Sequence, residues 1–411
     1  MASFKSETLK ILSERGFIHQ CTDLEALDAH LKEAPRVAYI GYDPTATSLH
    51  IGHLITIMKM YWFQQTGHKP ITLMGGATAL VGDPSFKDAS RPLLTEEVIA
   101  TNIAGIEKVF GVLLRYGSGK NDAIMVNNAD WLKGLGYIEF LRDYGVHFSV
   151  NRMLSFDSVK LRLEREQHLS FLEFNYMLMQ AYDFAHLYKN YNCTIQICGA
   201  DQWGNVVNGV ELGRKKYNVV LHGLTTALLT DANGKKMGKS EGNALWLNPE
   251  LQTDYEYYQY WRNVDDGMVQ KMLGLFTTLP MDDVRRLGAL QGAEINEAKK
   301  VLAFEATKML RGVAAAEKSA ATALETFAGG GRGADLPKIK AESLSIVDLL
   351  VQSGLCDSKG EARRLIKGNG VRLNDTPVTD EAATLGSDHF SQDNAAKLSA
   401  GKKRHVLVTR D

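Results

Sequence analysis

The sequence predicts an α/β protein: a doubly wound parallel sheet, followed by a helical domain and a small α+β domain. Two observations carry this prediction. Short apolar runs alternate with helical patterns through the first half of the chain, as in parallel sheets. From about residue 254 the strand-like runs stop and helical patterning continues alone. At 411 residues the chain is too long for one ordinary core, so two or three domains are expected.

Each element of the sheet follows from a local pattern of apolar residues, and Gly67 is expected to end the first helix. The predicted elements are a strand at 36–42, a helix at 53–65, a strand at 70–74, a loop at 75–84, a helix at about 95–116, strands at 123–126 and 193–198, and a helix from Gln202. Ligands of such sheets bind at the carboxyl ends of the strands. The sequence contains no GxGxxG motif, so dinucleotide binding is not predicted.

The second half of the chain divides at a run of glycines. Residues 254–327 have helical patterning, and 314–323 are rich in alanine, the strongest helix former. Gly329-Gly330-Gly331-Arg332-Gly333 suits neither helix nor strand and predicts a linker. The expected domains are 1–228 and 229–328, a linker at 329–343, and a last domain at 344–411.

Composition limits the kinds of partner and compartment. The net charge of −1 and the pI of about 6.8 mean that any nucleic-acid surface must be a local patch. The first residues lack the apolar core of a signal peptide, and no window approaches a membrane span. The four cysteines form no CxxC pair, which fits a reducing compartment. We expect a soluble cytoplasmic protein without a membrane partner.

Two histidines lie three positions apart where the first predicted helix begins, in the segment 43–54, DPTATSLHIGHL. A helix N-terminus presents unpaired N–H groups and a positive dipole end, which suit phosphate oxygens. Gly52, between His50 and His53, permits a close approach of a nucleotide to the backbone. The pair is also compatible with half of a zinc site or with two ordinary histidines, although the cysteines supply no pattern of further zinc ligands.

A second segment, Lys235-Lys236-Met237-Gly238-Lys239-Ser240, is doubly basic and follows a turn-like stretch. Such a loop is most often a solvated turn. Adenylyl transfer from ATP needs donors for the phosphate oxygens, which the histidine segment would supply, and cations that neutralise the departing pyrophosphate, which this loop would supply. The two segments resemble the HIGH and KMSKS signatures of class I aminoacyl-tRNA synthetases. Over essentially its whole length the chain is similar to the bacterial-type tyrosyl-tRNA synthetase family.

The resemblance implies a Rossmann-like catalytic domain at 1–228 with a dimer-interface insertion near 131–163, the lysine loop and a helical anticodon-region domain at 229–328, and an RNA-binding domain at 344–411. It implies a homodimer that uses L-tyrosine, ATP with Mg²⁺, and tRNA(Tyr), without a tightly bound protein metal. The residues implied for catalysis are Thr45, His50, His53, Lys236, Lys239 and Ser240. Those implied for ATP are Gly41, Asp43, Gly52, Asp201 and Lys239.

Two positions depart from the family's pattern. Gly238 replaces the central serine of KMSKS, as is common in tyrosyl enzymes. Ile40 stands where relatives often carry a cysteine, and an isoleucine side chain cannot make a polar contact there.

Tyr176, Gln180 and Asp183 fall at i, i+4 and i+7, on one face of a predicted helix with apolar neighbours. Buried polar groups are costly without hydrogen-bond partners. These three side chains are therefore expected to bond either to a ligand or to one another in an internal network, unless this face of the helix is exposed to water. The resemblance implies a tyrosine ligand. Tyr39 and Asp183 are implied to bind the phenol of this ligand. Asp83, Tyr176 and Gln180 are implied to bind its ammonium. Gln196, Asp201 and Gln202 are implied to lie beside the ligand and the ribose of ATP.

The segment 359–374 carries five cations and one anion, a local charge of +4. A patch of this kind is usually a solvated face. Here it is similar to a helix–turn–strand RNA-binding module of a ribosomal small-subunit protein and of pseudouridine synthases. The resemblance therefore implies RNA contacts, chiefly to the backbone, by Arg363, Arg364, Lys367 and Arg372.

Three alternatives stay open at the level of sequence: a catalytically inactive RNA-binding scaffold on the same fold, a tryptophan-specific relative, and a small nucleotidyltransferase that shares the HxGH motif. Intact histidine and lysine motifs disfavour the scaffold. The Tyr–Gln–Asp face disfavours the tryptophan relative. The lysine loop and the basic tail disfavour the short nucleotidyltransferase.

Overall fold

The computed structural model describes residues 4–85, 94–230, 234, 237, 245–327, 336–390, 394–401 and 404–410. The chain forms two compact units, Met1–Leu251 with Val264–Ala298, and Gln252–Asn263 with Lys299–Asp411. In the described residues no helix is both long and apolar enough to cross a membrane.

The first unit is built on a five-stranded sheet in which every pairing is parallel. Its strands are β1 (Val37–Tyr42), β2 (Lys69–Met74), β3 (Ile124–Asn127), β4 (Cys193–Gly199) and β5 (His222–Thr226). The strand order β3-β2-β1-β4-β5 places the second and third strands on one side of β1 and the last two on the other. The predicted doubly wound sheet is therefore confirmed. Its topological switch point lies between β1 and β4, where a ligand crevice is expected.

Helices form most of the rest of the described chain in both units. In order they are α1 (Glu7–Glu14), α2 (Leu24–Glu33), α3 (Ile51–Gln65), α4 (Glu96–Leu113), α5 (Ala129–Leu132), α6 (Tyr137–Asp143), α7 (Val150–Leu154), α8 (Asp157–Glu164), α9 (Phe171–Tyr191), α10 (Trp203–Tyr217), α11 (Asp254–Arg262), α12 (Val269–Phe276), α13 (Met281–Gly288), α14 (Ile295–Arg311), α15 (Val313–Phe327), α16 (Ile346–Gln352) and α17 (Lys359–Lys367).

The helix α9 is fixed at its start by side chains of its own sequence. Ser170 and Glu173 form a reciprocal capping box. Glu173 also pairs with Arg162 at 3.0 Å, and both side chains are buried. Further along, Phe184 packs on the Tyr39 ring of β1, with the ring centroids 5.2 Å apart. These contacts hold against the sheet the helix that carries three of the predicted site residues.

In the second unit, α11 packs against α15, and a smaller mixed sheet follows. Its strands are β6 (Lys338–Lys340), β7 (Val371–Leu373), β8 (Thr376–Pro377), β9 (Ala395–Ala400) and β10 (Arg404–Thr409), in the order β6-β10-β9-β7-β8. Among the described pairings of this sheet, β6 with β10 is the parallel one and the others are antiparallel. Leu350 of α16 and Ile366 of α17 share a buried core with Leu398 and Val408 of the sheet, which confirms the small α+β fold.

The loop before α3 packs directly on α4, and this contact yields a test. A Cβ at Gly105 would lie 2.0 Å from the carbonyl oxygen of Thr47, whereas a Cβ at Gly111, on the same helix, would meet nothing within 4 Å. We expect Gly105→Ala to lower the free energy of unfolding by about 1–3 kcal/mol through overpacking. Gly111→Ala should raise it by up to about 1 kcal/mol, because alanine favours helix.

Urea unfolding of the two variants measures both effects against the parent protein. If Gly105→Ala were as stable as Gly111→Ala, the close approach of α4 to this loop would be contradicted.

Candidate active site

A cavity of about 470 Å³ opens at the carboxyl ends of β1 and β4, at the switch point of the sheet. It brings together all the described residues that the sequence suggested for tyrosine or nucleotide: Tyr39, Gly41, Asp43, Thr45, His50, Gly52, His53, Asp83, Tyr176, Gln180, Asp183, Gln196, Asp201 and Gln202. Lys236, Lys239 and Ser240 lie outside the described residues. Met237, between them, lines the same cavity.

The two histidines cap the N-terminus of α3 and hold each other in place. His50 is the N-cap residue, and its Nδ1 accepts the N–H of Gly52 at 3.0 Å. The backbone N–H of His50 in turn donates to Nδ1 of His53 at 3.2 Å. Their rings lie 3.9 Å apart, centroid to centroid. This is a capping box with imidazoles in place of the usual hydroxyl and carboxylate.

The cap determines which ring nitrogens carry protons. A backbone N–H can only donate, so the Nδ1 atoms that receive these bonds are unprotonated. A neutral imidazole then has its proton on Nε2. Both rings are therefore oriented with a donor on the nitrogen opposite the backbone, at the positive end of the helix dipole.

Gly52 is required by the His50 ring itself. A Cβ at this position would lie 2.8 Å from Cε1 of His50 and 3.0 Å from its Nδ1. A larger residue would displace the imidazole from the cap. This steric reason adds to the nucleotide approach that the sequence suggested for this glycine.

Deeper in the cavity, the Asp183 carboxylate is only 2% exposed. Trp131 donates from Nε1 to its Oδ1 at 2.7 Å, and Asn128 donates from Nδ2 to its Oδ2 at 3.0 Å. Burial raises the pKa of Asp183 to about 7, although the hydrogen bonds from Asn128 and Trp131 work in the opposite direction. The two donors orient the carboxylate and favour its charged form.

Asn128 was not predicted from sequence, yet it joins three parts of the site. Its Oδ1 accepts the N–H of Ala77 at 2.8 Å, and its Nδ2 also donates to Oγ1 of Thr78 at 3.0 Å. With the bond to Asp183, both N–H donors of the amide are used, and the residue is 1% exposed. Its place directly after β3, at the carboxyl end of a strand, was the available signal.

Three buried polar atoms that line this cavity have no hydrogen-bond partner among the described residues: the Tyr39 hydroxyl, Oε1 of Gln196 and Oγ1 of Thr226. Tyr39 and Gln196 are register partners on β1 and β4. Burial and the nearby Asp183 carboxylate raise the pKa of Tyr39 well above its usual range, so its phenol stays protonated. An unsatisfied buried group costs about 1–3 kcal/mol, and a polar ligand would remove that cost.

Nearer the mouth, the internal hydrogen-bond network left open by the sequence is present in part. Asp43 accepts from Thr78 Oγ1 at 2.7 Å and from the Tyr176 hydroxyl at 2.9 Å. Asp83 accepts from Nε2 of Gln202 at 2.7 Å. Carboxylates in this part of the cavity suit a cationic ligand group such as an ammonium.

Asn205 links this network to α9, and the sequence did not single it out. Its Nδ2 donates to Oε1 of Gln180 at 3.0 Å and to Oε1 of Gln202 at 2.9 Å. The spacing of Asn205 from Gln202, three residues at the start of α10, could have indicated it. Within the described ranges, no group of three or more His, Cys, Asp or Glu residues is arranged to hold a metal.

The basic residues of the tail lie together on the small sheet domain. Arg363, Arg364 and Lys367 are on α17 and Arg372 is on β7, and all four are exposed. Glu381 pairs with Nε of Arg363 at 3.8 Å and with Nζ of Lys367 at 2.9 Å. Glu381 thus offsets part of the positive charge that the sequence indicated.

Family models match nearly the whole chain. Residues 31–328 match the model described as tRNA synthetases class I (W and Y), and residues 330–408 match the tyrosine–tRNA ligase SYY-like C-terminal domain. The chain is 56% identical to a tyrosine–tRNA ligase of Rhizobium meliloti and 55% identical to one of Rhodospirillum rubrum. Each alignment covers 99% of both proteins.

Solved structures agree with these relatives. A C-terminally truncated mitochondrial tyrosyl-tRNA synthetase of Aspergillus nidulans matches with a TM-score of 0.71 and 30% identity, over 79% of this chain and 94% of that one. The tyrosyl-tRNA synthetase of Archaeoglobus fulgidus, solved with L-tyrosine, shares the fold with a TM-score of 0.57 at 18% identity, over 76% of this chain and 100% of that one. The chain belongs to the tyrosine–tRNA ligase family of the class I aminoacyl-tRNA synthetases.

Proposed function

We propose that the cavity between β1 and β4 is where this tyrosine–tRNA ligase joins L-tyrosine to ATP and from which tyrosine passes to tRNA(Tyr). The observation that carries the proposal is the pairing of two chemistries in one cavity. Asp183 and Tyr39, which are 2% and 1% exposed, supply a buried carboxylate and a phenol that has no partner among the described residues, and we call this part of the lining the floor. The histidine cap of α3 lines the same cavity.

In the first step, a carboxylate oxygen of tyrosine attacks the α-phosphorus of ATP. The bond from that phosphorus to the bridging oxygen breaks, and pyrophosphate leaves. The nucleophile is already an anion, so no general base is needed and catalysis consists of positioning and charge stabilisation. We assign the donors to Thr45 and to Nε2 of His50 and His53, and the cations to Lys236 and Lys239. ATP enters as its Mg²⁺ complex.

Substrate selection follows from the floor of the cavity. The substrate's phenol would donate to Asp183 and accept from Tyr39, which satisfies both groups. Phenylalanine would leave the two side chains desolvated and without that partner, a loss that disfavours it. Asp83 lies with Tyr176 and Gln180 around the position that we propose for the ammonium. Asp43, which accepts the Tyr176 hydroxyl, is proposed to contact ATP.

We also propose a domain division, a cellular location, a homodimer interface and a tRNA-binding surface. The domain division predicted above, a cytoplasmic location and a homodimer are supported by family membership. Large apolar side chains of the 131–163 region are exposed, among them Tyr137 (62%), Ile138 (59%) and Val146 (71%). Exposed apolar side chains concentrated in one stretch of the chain suit a subunit interface. The basic residues of α17 and β7 are proposed to contact tRNA.

ATP–pyrophosphate exchange with single amino acids tests the function directly. We expect exchange that depends on L-tyrosine and is near background with phenylalanine or tryptophan, because only tyrosine satisfies both Tyr39 and Asp183. Exchange with tryptophan as fast as that with L-tyrosine would contradict the assignment of tyrosine as the substrate. Absence of exchange with every amino acid would favour the inactive RNA-binding scaffold.

Two substitutions should distinguish the role of the histidine cap in adenylation from the role of Asp183 in tyrosine binding. His50→Ala should slow adenylation by an amount equivalent to about 2.7–4 kcal/mol, because the lost donor acts on charge that develops in the transition state. Its effect on tyrosine affinity should be small. Asp183→Ala should instead weaken tyrosine binding and its preference over phenylalanine. Rapid-quench rates and equilibrium dialysis measure the two effects, and each variant serves as the other's control.

If His50→Ala weakened tyrosine binding as much as it slowed adenylation, the cap would not act on the transition state. A normal preference for tyrosine in Asp183→Ala would remove Asp183 from the selective pocket.

Ion pairing within the tail distinguishes its cations. Arg363 is paired with Glu381, whereas Arg364 makes no ion pair with any described residue. Arg364→Gln should therefore weaken tRNA binding more than Arg363→Gln and lower the slope of log affinity against log salt by about 1. Filter binding over a salt series measures this, with adenylation in the same variants as the control. Equal tRNA affinity in the parent and in Arg364→Gln would remove this residue from the interface.

A further inference from the structure

The chain between β1 and α3 has no regular secondary structure, although it ends at the capping histidine. Residues 43–49 form neither helix nor strand. Backbone of this kind has many accessible conformations unless other groups restrain it. The position of His50 therefore depends on contacts from outside its own segment.

Asn248 holds the end of this segment that is nearest to His50. Its Oδ1 accepts from Oγ of Ser48 at 2.7 Å, and its backbone N–H donates to the same hydroxyl at 3.1 Å. Its Nδ2 donates to the carbonyl of Gly105 on α4 at 2.8 Å. Ser48 and Asn248 are 3% and 4% exposed. One amide thus joins the residue two positions before His50 to a helix that runs beside it.

The backbone next to Asn248 holds His50 on both sides. The N–H of Leu247 donates to the carbonyl of Leu49 at 2.9 Å, and the N–H of Ile51 donates to the carbonyl of Leu245 at 3.1 Å. Between these bonds, His50 and Trp246 form an isolated antiparallel bridge, with their rings 6.3 Å apart. The first N–H group of α3, which has no partner within the helix, is satisfied in this way.

The same segment is tied to α4 at its other end. Nδ2 of Asn102 donates to the carbonyl of Pro44 at 2.8 Å. The bond from Asn102 restrains the chain just after β1, whereas the bonds from Asn248 restrain it just before the cap. Loss of Asn102 should therefore disturb the protein without acting specifically at His50, which makes it a matched control.

We propose that Asn248 is a positioning residue for adenylation, which acts through Ser48 on the placement of the His50 imidazole. The proposal rests on the role assigned to His50 above. Neither Asn248 nor Ser48 lines the cavity, so we expect their effect to reach the reacting groups through the histidine segment that Ser48 belongs to. A misplacement of about 1 Å at a reacting group can cost up to about 100-fold in rate.

A double-mutant cycle between Asn248 and His50 tests the proposal in the full-length protein. We expect Asn248→Ala to slow single-turnover adenylation by about 10- to 100-fold, with tyrosine affinity within about 2-fold of the parent. In the His50→Ala background the same substitution should change the rate by less than about 2-fold, because the group that it positions is already gone. Asn102→Ala should show no such coupling to His50.

Ser48→Ala provides a second route to the same answer, should Asn248→Ala fold poorly by circular dichroism and thermal unfolding. It removes only the hydroxyl that Asn248 holds, and it should show the same rate loss and the same coupling to His50. Equal rate losses in the two backgrounds would overturn the positioning role and leave the proposed function intact. A parent-like rate in His50→Ala would overturn both the role of His50 and this proposal.

Discussion

The hydrogen bonds by which His50 and His53 cap α3 are the constraint on which the site depends. Each Nδ1 receives a backbone N–H, one from Gly52 and one from His50 itself. These bonds satisfy donors that every helix start leaves open, and they also set the orientation and tautomer of both rings. The same hydrogen bonds therefore begin the helix and orient the Nε2 donors of both imidazoles.

The topology of the sheet brings the remaining groups to this cap. The switch point between β1 and β4 leaves a crevice at the carboxyl ends of the strands, and the polar face of α9 contributes Tyr176, Gln180 and Asp183 to its lining. At the floor, Asn128 and Trp131 hold the Asp183 carboxylate, and the Tyr39 hydroxyl has no partner among the described residues. Burial of a hydroxyl without a hydrogen-bond partner lowers stability, and a ligand that bonds to this hydroxyl would remove that cost.

The periodic patterns of the sequence predicted the strands β1 to β4, their alternation with helices and the polar face of α9, because these depend on local spacing. The strand β5 was not predicted, since His222–Thr226 contains no continuous apolar run. Asn128 and Asn248 were also not predicted as site residues. Their importance lies in hydrogen bonds to residues far away in the chain, which no local pattern reports. Within the loop at 75–84, the structure contains a short 3-10 turn, Thr78–Leu80, that aims a hydroxyl at Asp43.

The tautomer of the two capping histidines is the most direct test of this account. Nitrogen-15 NMR of the histidine-labelled enzyme, with His50→Gln and His53→Gln to assign the signals, reports which ring nitrogen carries the proton. In both rings we expect Nδ1 to resonate as an unprotonated nitrogen and Nε2 as a protonated one, near neutral pH and without ligands. A proton on Nδ1 of either ring would contradict the cap and, with it, the orientation of the donors towards the cavity.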